Sequence, residues 1–221
     1  MATNTASSSY VFPLYVYRDS INKNSEAVLE RLSNISHSFW LFLTKQYNET
    51  ITGEELVAYI YAILHSDLYR KRYINFLRID YARIPFCDKY SDFEVLVALG
   101  QSLIDAHLLE DTPDNDAGSI YDSDTATEDN DEVVARPKYK EVKGQGRLYI
   151  NDATYFAPIS AAVNDFRLGG YQVLHKYLKE RKGRSLDISE IDTIESIAKV
   201  AVFTLEKAKE IDTFLEQLDI F

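Results

Sequence analysis

Apolar residues recur along this chain at helical and at alternating spacings, and turn residues mark where one pattern gives way to the other. Tyr10 to Tyr17, YVFPLYVY, is rich in aromatic and β-branched residues and predicts a strand. Pro13 has no N–H to donate, so this strand is expected at a sheet edge or broken at that point. Val28, Leu32, Ile35, Phe39, Phe42 and Leu43 lie at helical spacing and predict a helix from Ser25 to about Tyr47. Thr52 and Glu55 have the spacing of a capping box that opens a helix to about Ser66. Asp67 reads as the cap of a helix to about Leu77, Ile84-Pro85 breaks the pattern, and an amphipathic helix follows from about Ser91 to Leu109. Tyr139–Val142 and Arg147–Ile150 flank Lys143-Gly144-Gln145-Gly146 and predict a β-hairpin. Gly169-Gly170 precedes a helix from about Tyr171 to Arg181, which Gly183 ends, and a last helix runs from about Ile188 to Leu218. No internal repeat is present. The expected fold is α+β, predominantly helical, with a small antiparallel β element built from the N-terminal strand and the hairpin near 139–151.

Composition changes this picture in two places. The chain has 221 residues, 46% of them hydrophobic, enough for a packed core. Its net charge of −11 would argue against a polyanionic partner, but the acid is concentrated: Asp105 to Glu132 holds eleven Asp or Glu and no Lys or Arg. Removing those eleven from the 35 acids leaves 24, equal to the 24 Lys and Arg. At a binding surface the field within a Debye length of roughly 8–10 Å matters more than total charge. Within the acidic stretch, residues 111–131 are nearly free of apolar side chains and read as a flexible, solvated insertion. Residues 1–9 are small and polar and read as a disordered lead. They have neither the basic start nor the apolar run of a signal peptide. No apolar run reaches the roughly 18 residues of a membrane span, and the single cysteine, Cys87, fits a reducing compartment. A cytoplasmic protein with no membrane partner is expected.

Several chemistries lack their residues. There is no Gly-x-x-x-x-Gly-Lys-Ser/Thr phosphate loop, no Gly-x-Gly-x-x-Gly, and no Asp/Asn-Pro-Pro-Tyr/Phe segment of an amino-methyltransferase. His37, His65, His107 and His175 are far apart in sequence and read as packing or surface residues. Pro113-Asp114 with Glu141-Val142-Lys143 imitates a metal-dependent nuclease motif, but that chemistry needs two carboxylates converging from adjoining sheet positions. Asp114 falls in the acidic stretch, so no catalytic or metal site is expected.

Two segments interleave aromatic residues with clustered cations. In the first, Arg70, Lys71 and Arg72 fan around the helix that begins near Asp67, opposite Leu68, Tyr69, Tyr73, Phe76 and Leu77, and Arg78 and Arg83 follow. These cations can bind phosphates or pair with nearby acids such as Asp67 and Asp80. The second, Tyr149 to Arg184, ends in a cluster from His175 to Arg184 that holds Lys176, Lys179, Arg181, Lys182 and Arg184 against one acid, Glu180. One or two cations would complement the helix dipole; five exceed that need.

These segments resemble the C-terminal specificity region of Type ISP and related single-polypeptide restriction-modification enzymes. The resemblance runs through Tyr10-Val11-Phe12-Pro13-Leu14-Tyr15, Tyr61 to Tyr73 (YAILHSDLYRKRY) and Ile79-Asp80-Tyr81-Ala82-Arg83-Ile84-Pro85. It continues at Tyr149-Ile150-Asn151, Tyr155-Phe156, Gly169 to Leu174 (GGYQVL) and Lys179 to Arg184 (KERKGR). It covers most of residues 10–212 in consistent order. It implies that residues 10–221 form a single DNA target-recognition domain that presents double-stranded DNA to an adenine methyltransferase and a nuclease-translocase (nuclease-helicase) of the parent enzyme. S-adenosylmethionine, ATP and magnesium are then expected only in that parent, with no cofactor in this chain. Phosphate contacts are expected from Arg70, Arg72, Arg83, Lys176, Lys179, Arg181, Lys182 and Arg184. Arg147, Asn151 and Gln172 have the chemistry of base readers, though each equally suits a turn or core hydrogen bond. The alternative is a helical protein-docking module of the same enzyme with little DNA affinity of its own.

Overall fold

The computed structural model describes residues 11–21, 27–109, 112–124, 133–218 and 220. Its first element is an antiparallel pair, β1 (Tyr15–Ile21) and β2 (Ala27–Ser33). β1 begins two residues after Pro13, as the missing donor requires; Tyr10 lies outside the described residues. Residues 27–33 are strand rather than the start of a helix, and Ser25 lies outside the described residues. The four-residue step from Val28 to Leu32 fits both periods, so spacing alone did not separate them. The helix starts later, as α1 (His37–Tyr47), where the Ser36 hydroxyl accepts the Phe39 N–H.

α2 (Gly53–His65) opens on the expected capping box: Thr52 Oγ1 accepts the Glu55 N–H and the Glu55 carboxylate accepts the Thr52 N–H. α3 (Asp67–Leu77) is capped by Ser66, not Asp67. The Ser66 hydroxyl accepts the Tyr69 N–H and donates to Asp212, whose carboxylate also accepts the Leu68 N–H. α4 (Tyr90–His107) lies against α2 so closely that Gly100 meets the backbone of Ala58, and Ala58 and Ala62 are fully buried at the crossing. Leu43, Leu56, Tyr59, Ile63, Tyr69, Phe93, Leu96 and Leu103 fill the core of this helical half.

The second half is built on a four-stranded antiparallel sheet in the order β3-β6-β5-β4. β3 (Ile120–Ser123) pairs with β6 (Thr154–Ala157), which also pairs with β5 (Gln145–Tyr149); β5 forms the expected hairpin with β4 (Lys138–Val142). The turn is two residues, Lys143-Gly144, both at positive φ. Two expectations are corrected here. The N-terminal strand does not join this hairpin; β1–β2 is a separate sheet. The stretch read as a solvated insertion contains β3, and Ala117 just before it is buried. Residues 110–111 and 125–132 lie outside the described residues. A four-residue edge strand supplies too few apolar positions to stand out in an acidic sequence; its ladder partner is β6, over thirty residues on.

α5 (Ala161–Asn164) leads into a two-residue hairpin, β7 (Arg167–Leu168) and β8 (Tyr171–Gln172), turning at Gly169-Gly170. α6 (Val173–Lys179) is thus shorter than expected at both ends. α7 (Ile188–Leu215) runs 28 residues without a break and joins the halves. Ile194, Ala198 and Ala201 pack on Leu148, Phe156 and Ile159 of the sheet half, whereas Ile211 and Leu215 enter the helical core. No helix among the described residues is long and apolar enough to cross a membrane.

Candidate nucleic-acid interface

The second basic segment sorts into two kinds of cation. Arg181 Nε donates to Glu190 Oε1 at 2.7 Å, and Arg184 donates to both carboxylate oxygens, at 2.5 and 2.7 Å. The Arg181 guanidinium lies 3.4 Å from the Tyr177 ring centroid, a cation–π contact. Glu190 also accepts the Asp187 N–H in the capping box of α7. The Arg184 hydrogen bond holds its carboxyl down at about 2, helped by the Asp187 backbone and by Arg181. These two arginines are therefore structural clamps first. Lys179 and Lys182 are exposed and have no ion pair among the described residues. Lys176 is half-exposed, 3.9 Å from Glu180.

The clamp makes a pH prediction. Glu190 ionises near 2 in the folded state against an ordinary 4.5, so its stabilisation is complete above about 4.5 and is lost as pH falls toward 2. Glu190→Gln should be less stable than wild type at neutral pH, and the gap should close across that interval, read by thermal unfolding of both proteins at each pH. A gap constant down to pH 2 would rule the clamp out.

In the first segment, Arg70 pairs with Asp67, and Arg83 lies 3.7 Å from Asp80 at 91% side-chain exposure. Arg72 is exposed with no ion pair among the described residues. Such surface pairs are weak and yield readily to a phosphate. The apolar side of α3 is incompletely covered: Tyr69 is buried, but Phe76 is 64% exposed.

The three candidate base readers are engaged within the protein. Arg147 donates to Asp124 at 2.7 Å, lies 4.0 Å from the Tyr155 ring centroid, and is only 16% exposed. Asp124 is held below the usual carboxylate range, first by the Tyr149 hydroxyl and then by Arg147. Asn151 Oδ1 accepts the Ala153 and Thr154 N–H groups, a turn role. Gln172 donates to Asp165 and precedes α6 as its N-cap residue.

A cavity of about 260 Å³ between the halves is edged by His65, Asp67 and Arg70 on one side, Asp165, Arg167 and Leu168 on another, and Lys209 and Asp212 of α7. A second, more open cavity is lined by Leu168, Tyr171, Val173, Lys176, Tyr177 and Glu180. Leu168 borders both, so the β7–β8 hairpin stands between Arg70 of the first segment and Lys176 of the second. Arg83 lines a different cavity, with Tyr69, Tyr73 and Tyr81. Sequence reasoning missed Arg167 and Lys209, whose places at the first cavity depend on tertiary packing.

His107 packs rather than reacts. The Tyr61 hydroxyl lies 2.6 Å from Nδ1, and Nε2 lies 2.8 Å from Thr204 Oγ1, which donates to Val200 O. Nε2–H is thus the donor to Thr204 and Nδ1 the acceptor from Tyr61. Burial, with His65 alongside, lowers its pKa to about 4. No cluster of three metal-ligating side chains occurs among the described residues. Asp114 precedes β3 and Glu141 lies in β4, the two opposite edges of the sheet, so the nuclease-like motif does not occupy adjoining strands.

The family model for the Type ISP C-terminal specificity domain matches residues 1–211, and the chain belongs to that family. Its fold is shared by an ATP-dependent Type ISP restriction-modification enzyme, LlaBIII, bound to DNA, at TM-score 0.63 and 20% identity over 90% of this chain. It is shared by DrdV in a DNA complex, at TM-score 0.65 and 24% identity over 90% of this chain. A nuclease-deletion mutant of the Type ISP enzyme LlaGI, in complex with a DNA substrate mimic, matches at TM-score 0.52 and 22% identity over 73% of the chain. The chain spans only 13%, 21% and 14% of the length of these three structures. No curated protein matches it.

Proposed function

We propose that this chain recognises a target sequence in double-stranded DNA for a Type ISP restriction-modification enzyme. It would hold the duplex while an adenine methyltransferase and a nuclease-translocase act on it. S-adenosylmethionine, ATP and magnesium would belong to those parts, and the chemistry would be theirs. The observation that carries the reading, given the family, is that the two basic segments line neighbouring cavities that share Leu168, with Arg70 at one and Lys176 at the other. Arg72, Lys179 and Lys182 add exposed cations that no described carboxylate engages. Cations of this kind bind backbone phosphates and release counterions.

Lys179→Ala with Lys182→Ala should weaken binding to every duplex and make the log–log salt dependence shallower, by about 0.9 for each phosphate no longer neutralised. Fluorescence anisotropy across a salt series measures both. An unchanged affinity and slope would remove these lysines from the interface. The docking reading has one observation in its favour: Phe12, Phe76, Ile79 and Tyr81 are 61–82% exposed near the end of α3, with Phe12 and Tyr81 in edge-on contact. An apolar patch of this kind fits a protein neighbour, so α3 would face the rest of the enzyme with its far end.

A further inference from the structure

The β7–β8 hairpin places two large apolar side chains where the protein itself gives them little cover. Leu168 and Tyr171 are directly opposite each other in the ladder, so they share one face, and they are 52% and 65% exposed. The turn between them is Gly169-Gly170. Gly169, at φ +60°, takes a left-handed conformation that glycine adopts without strain. Gly170 has no positive φ, and a Cβ there would meet no atom within 4 Å. Neither backbone geometry nor internal packing demands its glycine. A bare backbone at an exposed tip permits close approach by another molecule.

The tip stands on a fixed base. Arg167 donates to Gly170 O at 3.2 Å, Gln172 donates to Asp165 at 3.0 Å, and His175 Nε2 is 2.7 Å from Asn164 Oδ1. Cations border it on both sides: Lys176 Nζ lies 4.7 Å from the Tyr171 ring centroid, and Arg167, Arg70 and Lys209 line the cavity on the other side of Leu168. The acids nearby have partners within the protein: Asp67 pairs with Arg70, Glu180 lies 3.9 Å from Lys176, and Asp165 and Asp212, which accept from Gln172 and Ser66 and keep their charge, share their cavity with Arg167 and Lys209. An apolar pair flanked by cations fits a ligand with apolar contact points between two rows of negative charge. The major groove of DNA lies between two rows of phosphates and presents thymine methyl groups among the donors and acceptors of its floor, and a two-stranded ribbon fits within it.

We propose that the β7–β8 hairpin enters a groove of duplex DNA, with Leu168 and Tyr171 against the bases and Lys176 and Arg167 toward the flanking phosphates. This rests on the DNA-recognition reading above. The test uses the 221-residue chain and a fluorescein-labelled duplex of mixed sequence. Leu168→Ala with Tyr171→Ala should weaken binding roughly tenfold, as loss of the apolar area these side chains would bury against the DNA does. Its salt slope should match wild type, because no cation is removed. In wild-type protein, an iodouracil-substituted duplex should photocrosslink to Tyr171. That measurement needs no variant, so it decides the matter even if the double variant misfolds. If wild type binds the duplex, the folded double variant binds equally well and Tyr171 does not crosslink, the hairpin faces a protein neighbour and this proposal fails while DNA recognition stands. If wild type binds no duplex at any salt concentration, both fail.

Discussion

Gly100→Ala should be among the most damaging single-methyl substitutions in the protein. A Cβ built at Gly100 would sit 1.8 Å from the carbonyl oxygen of Ala58, far inside contact distance, and that oxygen belongs to the backbone of α2. No rotamer change can relieve the clash; the α2–α4 crossing must open. Opening it separates Ala58 and Ala62, both fully buried, from their neighbours and loosens the layer that holds Leu96 and Leu103. Overpacking of this kind costs about 1–3 kcal/mol or more, a fall of roughly 2–12 °C in melting temperature for a chain of this size. Calorimetry of the purified variant measures it. A melting temperature equal to wild type would mean that the helices cross farther apart than described.

Replacing residues 112–131 with a short Gly-Ser linker should also destabilise the protein substantially. By composition alone, this acidic stretch is dispensable. In the structure it supplies the β3 edge of the sheet, the Gly118 N–H donated to Pro158 O, buried Ala117, and Asp124. Asp124 accepts from both Arg147 and Tyr149. Its removal strands a guanidinium that is only 16% exposed, and a poorly solvated charge without its partner is strongly unfavourable. The expected result is a melting temperature lower by several degrees, and a smaller but definite decrease for Asp124→Ala alone. Equal stability of the linker variant would show that β3 contributes little to the fold.

What was legible in the sequence was local. The capping box at Thr52 and Glu55, the hairpin around Lys143-Gly144 and the helical stripes of α2, α4 and α7 are each written within a few residues, and their patterns carry through. Elements whose partners are remote were misread. Ala27–Ser33 becomes a strand because β1 lies beside it, and Ile120–Ser123 because β6 does. The same limit governs the candidate site. Arg147, Arg181 and Arg184 look like free cations in the sequence, but Asp124 and Glu190 reach them through tertiary packing. Lys179 and Lys182 look the same in sequence and meet no described carboxylate. Composition can count cations; only the fold says which of them are already engaged.

The central claim is sequence-specific recognition, and selection from a pool of randomised duplexes tests it most directly. The chain, immobilised and washed at moderate salt, should enrich one short sequence over successive rounds. Each mismatch in that sequence should cost roughly 1–3 kcal/mol of affinity. Retention of DNA with no sequence enriched would contradict the account. It would leave a cationic surface that grips phosphates, and the reading of the target would have to reside elsewhere in the enzyme.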